Sequence, residues 1–361
     1  MERRALLKAG GLAAAASVLA TPAIAQTAPE VRWRLTSAFP KALDTIFGSA
    51  QLLARYVYEA TDGRFQIETF ATGEIVPGLK ALDAVADGTV ECAQAPTYFA
   101  MNKAPTLAFG AGIPFGLNAR HQHAWWHFGG GAEIVNEALR GLNAYAIPMG
   151  NSGTQMGGWF RKEINSVDDL KGLKFRIGGL GGQVLARLGV EPQQMAPGDV
   201  LAALERGTID AAEFVGPYDD EKLGFYRFAK HYYCPGWWEG GAMLHLVINL
   251  EKWQALPKSY QAVLTQAGEA ANNWMLARYD ADNAAALRRL VGKGAMVRSF
   301  SAPVIEACWT AANALYKEIA ARDALFRKAL ESHDAFRADA LSYWRIAEHS
   351  YDAMMLDLVH G

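Results

Sequence analysis

The chain has 361 residues, of which 35 are basic, 37 are acidic and 51% are hydrophobic. This near-neutral charge disfavours a nucleic-acid-binding surface, and the apolar content excludes a chain that is disordered throughout. The length exceeds what one hydrophobic core usually organises, so two lobes are expected.

The first 25 residues have the pattern of an export signal. A basic start that includes Arg3 and Arg4 precedes small apolar residues over 9–20, and the Ala-Ile-Ala sequence at 23–25 offers a cleavage site. The apolar stretch is shorter than the ~20 residues that span a bilayer, which disfavours a membrane anchor. The arginine pair favours twin-arginine export to the periplasm over the general secretory route. Without these residues 32 basic and 36 acidic residues remain, a net charge of −4, which again predicts no nucleic-acid partner.

Strand-like and helical segments alternate in the part of the chain that follows. Strands are predicted over 31–39, 64–71 and 89–96, and helices over 43–61 and 78–88. Strands that alternate with helices of this length predict βαβ units and largely parallel sheets.

The last hundred residues have a mainly helical pattern, in contrast to the alternating strands and helices before them. A long connecting helix is predicted over 256–292, a short β-like segment follows at 295–300, and residues 302–360 have an almost wholly helical pattern. The C-terminal helices, assigned to 301–361, are predicted to pack on the lobes or on a partner subunit. A homodimer is therefore one expectation, and packing within one chain is the other.

A ten-residue segment occurs twice in related form. Residues 82–91 read LDAVADGTVE and residues 201–210 read LAALERGTID, with four of the ten positions identical. In both copies a helical pattern ends at Gly and a strand-like pattern begins at Thr. The repeat predicts two lobes with similar sheets and a cleft between them. We assign 26–150, completed by part of 243–300, to the first lobe and 151–242 to the second.

The glycine-rich segment LKGLKFRIGGLGG at 170–182 raises the question of a phosphate site. Its glycines do not fit G-x-G-x-x-G and no Gly-Lys-Ser/Thr sequence follows, which favours a plain strand-to-helix turn. Arg176 ends the strand-like part, at the edge where open α/β sheets bind ligands. Its planar guanidinium matches a carboxylate, although spacing alone leaves an ordinary surface arginine equally open.

Longer segments carry a family resemblance. DLKGLKFR, GNSGTQMGGWFRKEIN, GTIDAAEFVGPYDDEKLGF and YYCPGWWEGG resemble the solute receptors of tripartite ATP-independent periplasmic (TRAP) transporters, in the branch that binds 2-oxo acids such as pyruvate. The resemblance implies an α/β, two-lobed periplasmic binding protein fold with a ligand cleft between the lobes and long C-terminal helices. It also implies a receptor, not an enzyme, that delivers a small 2-oxo or 2-hydroxy monocarboxylate to TRAP membrane permease subunits.

The same resemblance implies two overlapping groups of site residues. The residues that would contact the substrate are Arg176, which would grip its carboxylate, with Gln155, Glu213, Tyr98 and Asn151. Gln155 and Glu213 would also hold a metal cation, together with the main-chain carbonyl of Phe214. The aromatic, glycine-rich segment at 234–241 adds Trp237 as a candidate for the substrate wall and Glu239 as a candidate metal ligand, and core packing is an equally open role for Trp237. Phe214 stands where the family branch has Trp, so the pocket is expected to differ in shape.

Elementary electrostatics also favours a cation beside Glu213. This residue follows the strand-like TIDAAEF segment as Arg176 ends its own, so both side chains could face one cleft. A buried glutamate and an anionic substrate repel each other unless a positive ion lies between them. Oxygen ligands suit a hard ion such as Na⁺ or Ca²⁺. A structural ion pair is the alternative role for Glu213.

Other candidate sites have weaker patterns. His121, His123 and His127 fall outside the H-E-x-x-H zinc pattern, and surface or helix-end positions are favoured for them. The acidic run at 219–221 lacks EF-hand spacing and is expected to be helix N-terminal charge. Ser152 lacks the surroundings of a nucleophile. A periplasmic enzyme that acts on a small carboxylic acid is the alternative function.

Overall fold

The computed structural model describes residues 29–360, which form two mixed β-sheets flanked by helices. The export signal predicted over 1–25 lies outside the described residues. The strands are β1 Val31–Ser37, β2 Phe65–Phe70, β3 Cys92–Ala95, β4 Ala144–Asn151, β5 Trp159–Phe160, β6 Lys174–Arg176, β7 Glu191–Gln193, β8 Ala211–Ala212, β9 His231–Cys234, β10 Met243–Asn249 and β11 Met296–Ser299.

Helices make up most of the remaining structure. They are α1 Ile46–Ala60, α2 Ala81–Ala86, α3 Ala108–Ala111, α4 Ala119–Phe128, α5 Gly131–Arg140, α6 Gly179–Ala186, α7 Pro197–Arg206, α8 Pro217–Leu223, α9 Leu250–Ala255, α10 Lys258–Gly292, α11 Ala302–Arg322, α12 Ala324–Ile346 and α13 Glu348–His360. Across residues 29–360, each helix is too short or too polar to cross a lipid bilayer.

The two sheets share one strand order. The first sheet runs β2-β1-β3-β10-β4, and the second runs β7-β6-β8-β5-β9 with β11 added at its edge. Three neighbouring strands are parallel in each sheet, and the fourth, β10 or β5, is antiparallel to both of its neighbours. Each sheet with its helices forms one lobe, so the expected two-lobed α/β fold is confirmed.

The antiparallel strands correct the expectation of largely parallel sheets. The chain leaves the first sheet after β4 and enters the second as β5, and it returns from β9 as β10. A strand that arrives from the other lobe enters its sheet from the opposite end, which reverses its direction. Such a crossing has no local sequence signal, because the pattern of a strand does not depend on its neighbour's direction.

The repeated ten-residue segment has the same structure in both copies. Helix α2 is followed by Gly88 with φ of +79° and then by β3, and helix α7 is followed by Gly207 with φ of +70° and then by β8. Glycine ends both helices because this left-handed conformation is unfavourable for residues with a Cβ. Strands β3 and β8 occupy equivalent places in their sheets, so the repeat correctly predicted two similar lobes.

Helix α10 connects the lobes along its 35 residues. Its first half packs on β4 and α1 of the first lobe, and its second half packs on α8 of the second. Gly268 allows the close approach to β4, because a Cβ there would lie 2.4 Å from the main-chain oxygen of Pro148. Further along, the Tyr279 hydroxyl donates a 2.6 Å hydrogen bond to Asp219 at the start of α8.

The C-terminal helices pack on both lobes and then extend into solvent. Helix α11 contacts α6, and α12 contacts α4 and α5. The end of α12 and helix α13 expose large apolar side chains, among them Tyr343, Ile346 and Leu358 at 70–72% exposure. The residue limits of the lobes and of the C-terminal segment, as assigned from the sequence, stay a prediction.

Two glycines of α10 provide a matched test of its docking. Gly268→Ala places a methyl group against a backbone oxygen that has no freedom to move, so we expect the free energy of unfolding to fall by about 1–3 kcal/mol. Gly292→Ala meets no atom within 4 Å and should leave stability unchanged or slightly raised. Urea unfolding monitored by circular dichroism measures both variants, and equal stabilities would contradict the close packing of α10 on β4.

Candidate functional site

The cavity between the two lobes is small and polar. Its volume is about 30 Å³, and a water molecule needs roughly 10–15 Å³. The polar side chains that line it are Tyr98, Ser152, Gln155, Arg176, Glu213 and Glu239. A larger hollow of about 650 Å³ lies between α1 and α10, but alanines dominate its lining and its charged side chain, Glu59, would repel an anion. The small cavity is the candidate site for an organic acid because it lies between the lobes and has a buried guanidinium, that of Arg176, in its wall.

Arg176 lies at the C-terminal end of β6 and is 8% exposed. Lys174 points to solvent and Phe175 into the core, as the alternating pattern predicted. The Arg176 Nη1 group donates 2.6 Å hydrogen bonds to both the main-chain oxygen and the carboxylate Oε1 of Glu213. Its Nε group donates to the main-chain oxygen of Met195 at 3.3 Å. The guanidinium is thus fixed inside the cavity wall, and a surface role for Arg176 is excluded.

Glu213 follows directly after β8, the strand that pairs in parallel with β6. Parallel neighbours end at the same edge, which brings Glu213 beside Arg176 although 36 residues separate them in the chain. Burial raises the pKa of Glu213, and the positive charge of Arg176 partly offsets this effect. The side chain is 6% exposed, so the pair is largely removed from solvent.

Gln155 and Glu239 come from the two irregular segments that cross between the lobes. The Gln155 amide donates to the Ser152 hydroxyl at 3.3 Å, but its Oε1 atom is buried and accepts no hydrogen bond from the described residues. Burial, together with repulsion from Glu213, raises the pKa of Glu239 to about 8. A buried carbonyl oxygen without a partner is costly, so this atom is available to a ligand or an ion.

Tyr98 closes the cavity from the first lobe. It lies in a 3-10 turn after β3, and its ring packs on the backbone of the second lobe. A Cβ added at Gly178 would lie 3.2 Å from the Tyr98 ring, so glycine is favoured at this position. Gly181, in the first turn of α6, approaches Trp238, whose Cβ would lie 2.8 Å from an added methyl group. The glycine cluster at 178–182 therefore serves close packing, as expected for a turn that does not bind phosphate.

Two of the predicted substrate-contacting residues, Asn151 and Trp237, lie outside the cavity lining. The Asn151 side chain accepts a hydrogen bond from the Gly153 amide at 2.9 Å and shapes the crossover after β4. Trp237 stacks on Phe115 with ring centroids 4.8 Å apart, which corresponds to the core-packing alternative. Phe214 lines the cavity, with Arg176 over its ring at 5.8 Å.

Sequence reasoning missed apolar and polar residues of the wall. Phe39 and Leu244 line the cavity from the first lobe, and Ser152 lines it from the crossover. Phe39 follows β1 as Arg176 ends β6, and these strands hold equivalent places in the two sheets. The shared strand order could have identified Phe39 as a wall residue.

The acidic run at 219–221 lies at the start of α8, in agreement with the expectation of helix N-terminal charge. Asp219 and Asp220 are also buried, which the sequence pattern did not predict. Burial raises the pKa of each to about 7, and Asp220 accepts hydrogen bonds from Tyr232 at 2.7 Å and Trp159 at 3.0 Å. These side chains fix α8 to α10 and to the second sheet, so they support the structure behind Glu213.

The charges of the site fit a hard cation. Two carboxyl groups face one guanidinium, and the side-chain oxygen donors of the cavity include the Gln155 carbonyl and the carboxyl groups of Glu213 and Glu239. An all-oxygen donor set suits Na⁺ or Ca²⁺ better than a soft transition metal. Such an ion would offset the burial and the repulsion from Glu213 that together raise the pKa of Glu239.

Several known proteins are similar to this chain over most of its length. The family model for bacterial extracellular solute-binding proteins of family 7 matches residues 36–323. A monocarboxylate 2-oxoacid-binding periplasmic protein of Nostoc sp. is 46% identical over 358 residues, which are 98% of each chain.

Two solved structures extend the similarity to the fold. A TRAP transporter solute-binding protein of Bordetella bronchiseptica is 46% identical, with a TM-score of 0.91 over 92% of this chain and 99% of that one. It is a mixed-occupancy dimer with copurified calcium and picolinate in one active site. A TRAP solute-binding protein of Pseudoalteromonas atlantica is 34% identical, with a TM-score of 0.86 over 89% of this chain and 98% of that one, and has bound sodium and pyruvate.

The raised pKa of Glu239 predicts how stability depends on pH without a bound cation. The unfolded chain releases this proton near pH 4.5 and the folded protein near pH 8, so the folded form binds more protons between these values. The free energy of unfolding therefore falls as pH rises, by up to about 1.4 kcal/mol per pH unit from one such group. We expect Glu239→Gln to make this decline shallower between pH 5 and 8.

Urea unfolding in buffers that contain a chelator measures the decline. Asp219 and Asp220 titrate in the same direction and should leave a residual slope in the variant. Glu205→Gln, on the exposed face of α7, serves as the control and should follow the unmodified protein. Parallel profiles for Glu239→Gln and the unmodified protein would contradict the assignment of this proton to Glu239.

Proposed function

Because the chain belongs to the bacterial extracellular solute-binding proteins of family 7, we propose that it is the extracytoplasmic receptor of a TRAP transporter for a small 2-oxo or 2-hydroxy monocarboxylate. Pyruvate and lactate have the expected size and charge. The ligand binds together with Na⁺ or Ca²⁺ and is delivered to membrane permease subunits. One observation carries the proposal, namely the buried Arg176 guanidinium that faces two glutamates and an unpartnered Gln155 oxygen in a small interlobe cavity.

The residues have distinct roles in this proposal. Arg176 binds the ligand carboxylate, and its two-pronged geometry suits the two carboxylate oxygens. Gln155, Glu213, Glu239 and the main-chain carbonyl of Phe214 would hold the cation, which supplies positive charge when bound.

Arg176 is engaged with Glu213 in the structure, at 2.6 Å. It can turn from Glu213 to a ligand carboxylate only when the charge of Glu213 is compensated in another way, since a buried carboxylate left alone is strongly unfavourable. Cation binding and ligand binding are therefore expected to reinforce each other. Glu239 releases its proton on cation binding, so affinity should rise as pH increases toward 8.

The hydrogen bonds of Arg176 alone do not supply the free energy of binding that a receptor needs. A charge-assisted hydrogen bond contributes roughly 1.5–3 kcal/mol, and micromolar affinity needs about 8 kcal/mol. The remainder comes from charge compensation, from apolar contact with Phe39 and Phe214, and from the exclusion of water as the lobes close. Tyr218 and Lys222 of α8 contact Asp44 of the first lobe and favour the closed arrangement.

An enzymatic role has less support. The Ser152 hydroxyl donates a 2.9 Å hydrogen bond to the Gly153 main-chain oxygen and accepts one from Gln155, so it is positioned as a structural group. The family consists of solute-binding proteins that take part in transport.

The sequence supports a finer proposal on export. Paired Arg3 and Arg4 ahead of an apolar stretch favour the twin-arginine route, by which a folded receptor would reach the periplasm. Replacement of both by Lys should leave the receptor in the cytoplasmic fraction, and undiminished export would refute this route.

The exposed apolar face of α12 and α13 supports a proposed homodimer. Large exposed apolar surfaces mark association sites on soluble proteins, and the similar Bordetella receptor is a dimer. Native mass spectrometry should detect two chains per particle, with Ile346→Glu shifting the particle to one chain. A monomeric unmodified receptor would contradict the proposal.

The ligand proposal predicts a thermal shift that depends on both components. Pyruvate with Ca²⁺ or Na⁺ should stabilise the mature receptor by about 2.7 kcal/mol at 100 times the dissociation constant, a rise of several degrees in Tm. Pyruvate with a chelator in a sodium-free buffer should give little shift. Arg176→Ala should abolish the shift, because no other guanidinium lines the cavity among the described residues.

Two further variants keep this test decisive. Arg176→Lys keeps a positive charge beside Glu213, so this variant is expected to fold. It lacks the planar guanidinium that can bind both carboxylate oxygens, and it should bind the ligand at least about tenfold more weakly. Arg187→Ala is the matched control, since Arg187 pairs with Glu318 on the surface at 2.5 Å and should keep the full shift. A full shift in Arg176→Ala, or conversion of pyruvate to a product, would refute the proposal.

A further inference from the structure

A second cluster of ligand-type side chains lies away from the interlobe cavity. His123 and His127 are one helical turn apart on α4, and Glu269 approaches them from α10. The His123 Nε2 atom is 3.2 Å from Glu269 Oε2, and the His127 Nε2 atom is 3.0 Å from Glu269 Oε1. The three potential ligand atoms all lie within 4.8 Å of one another. His121 is separate from this cluster and packs against Trp344.

The two nitrogen-to-oxygen distances, each to a different oxygen of Glu269, are close to the ligand spacing around a tetrahedral zinc ion. Bonds of about 2.0–2.2 Å to nitrogen and oxygen place neighbouring ligand atoms about 3.3 Å apart. Both nitrogen-to-oxygen distances of the cluster are close to this value. Imidazole nitrogens prefer borderline metals such as Zn²⁺ over the hard ions that suit the interlobe cavity.

Direct hydrogen bonds between the histidines and Glu269 do not fully explain the arrangement. Glu269 Oε1 is buried and accepts no hydrogen bond among the described residues, although His127 Nε2 is 3.0 Å away. A carboxylate oxygen that faces a ring nitrogen without a hydrogen bond between them can be satisfied by one cation shared by both.

Asn272 supplies an independent observation beside the cluster. It is 6% exposed, its Nδ2 atom lies 3.3 Å from His123 Nδ1, and its Oδ1 atom is buried without a hydrogen-bond partner. The amide oxygen and nitrogen are interchangeable by a flip. After that flip Oδ1 accepts a hydrogen bond from the His123 Nδ1 group, and the lone pair of Nε2 then faces Glu269. Metal-binding histidines are usually oriented in this way, by a hydrogen bond from the second ring nitrogen to an oxygen acceptor.

We propose that His123, His127 and Glu269 form a binding site for a zinc-class divalent metal ion, with Asn272 orienting His123. The partial exposure of both histidines leaves room for water as a fourth ligand. The ion joins α4 of the first lobe to the connecting helix α10. It acts as a structural link that is separate from the carboxylate site and does not depend on the proposed ligand.

The test uses the mature receptor without a polyhistidine tag, stripped of metal and kept in excess Ca²⁺ to occupy oxygen-ligand sites. Calorimetric titration with Zn²⁺ should show one ion per chain. Asn272→Ala should weaken binding by about 10–100-fold, and His127→Ala or Glu269→Gln at least as much. Co²⁺ in place of Zn²⁺ should give the visible absorption of a tetrahedral complex, which disappears in the same variants.

His231→Gln is the matched control, because His231 faces Glu163 at 3.8 Å in a simple histidine–glutamate pair. This variant should bind Zn²⁺ like the unmodified receptor. Absence of stoichiometric binding would overturn the proposal. Retention of full affinity in a His123→Ala/His127→Ala double variant that is folded by circular dichroism would overturn it as well.

Discussion

The buried ion pair between Arg176 and Glu213 is the constraint on which the candidate site depends. Charges removed from water need partners, and here each charge is the other's partner. Glu239 adds a second carboxyl group to the same enclosed space, and burial together with repulsion from Glu213 raises its pKa. Under the proposed function, binding of a cation and binding of an organic anion therefore reinforce each other at this site.

The fold brings these charged side chains together because both sheets have the same strand order. Strands β6 and β8 end at the same edge of the second sheet, and β1 and β3 end at the equivalent edge of the first. The segments at 152–158 and 235–242 cross between the two sheets and line the cavity with Ser152, Gln155, Glu239 and Ala242. Helix α10 contacts both lobes, so packing along its length ties the relative position of the lobes to the core of each.

The sequence predicted the parts of the site that depend on strand ends. Arg176 and Glu213 each follow an apolar alternating segment, which is a local pattern. The position of Gln155 came from family resemblance and that of Glu239 from its aromatic, glycine-rich segment, because irregular crossover segments have no periodicity to interpret. The burial of Asp219 was not predicted, because an acidic residue at a helix start has the same pattern whether it is exposed or hydrogen-bonded to Tyr279 in the interior.

By itself, the sequence determined the two-lobed α/β class, the long helices, the repeated helix–glycine–strand unit and the arginine at a strand end. The helices, the repeated unit and the strand-end arginine follow from spacing within a few residues, which fixes the backbone and its buried face. The two lobes follow from the chain length and from the recurrence of that unit. Only the tertiary structure decided that β5 and β10 run antiparallel, that Trp237 packs on Phe115, and that Glu269 meets His123 and His127. These outcomes depend on contacts between segments far apart in the chain, and such contacts leave no local pattern.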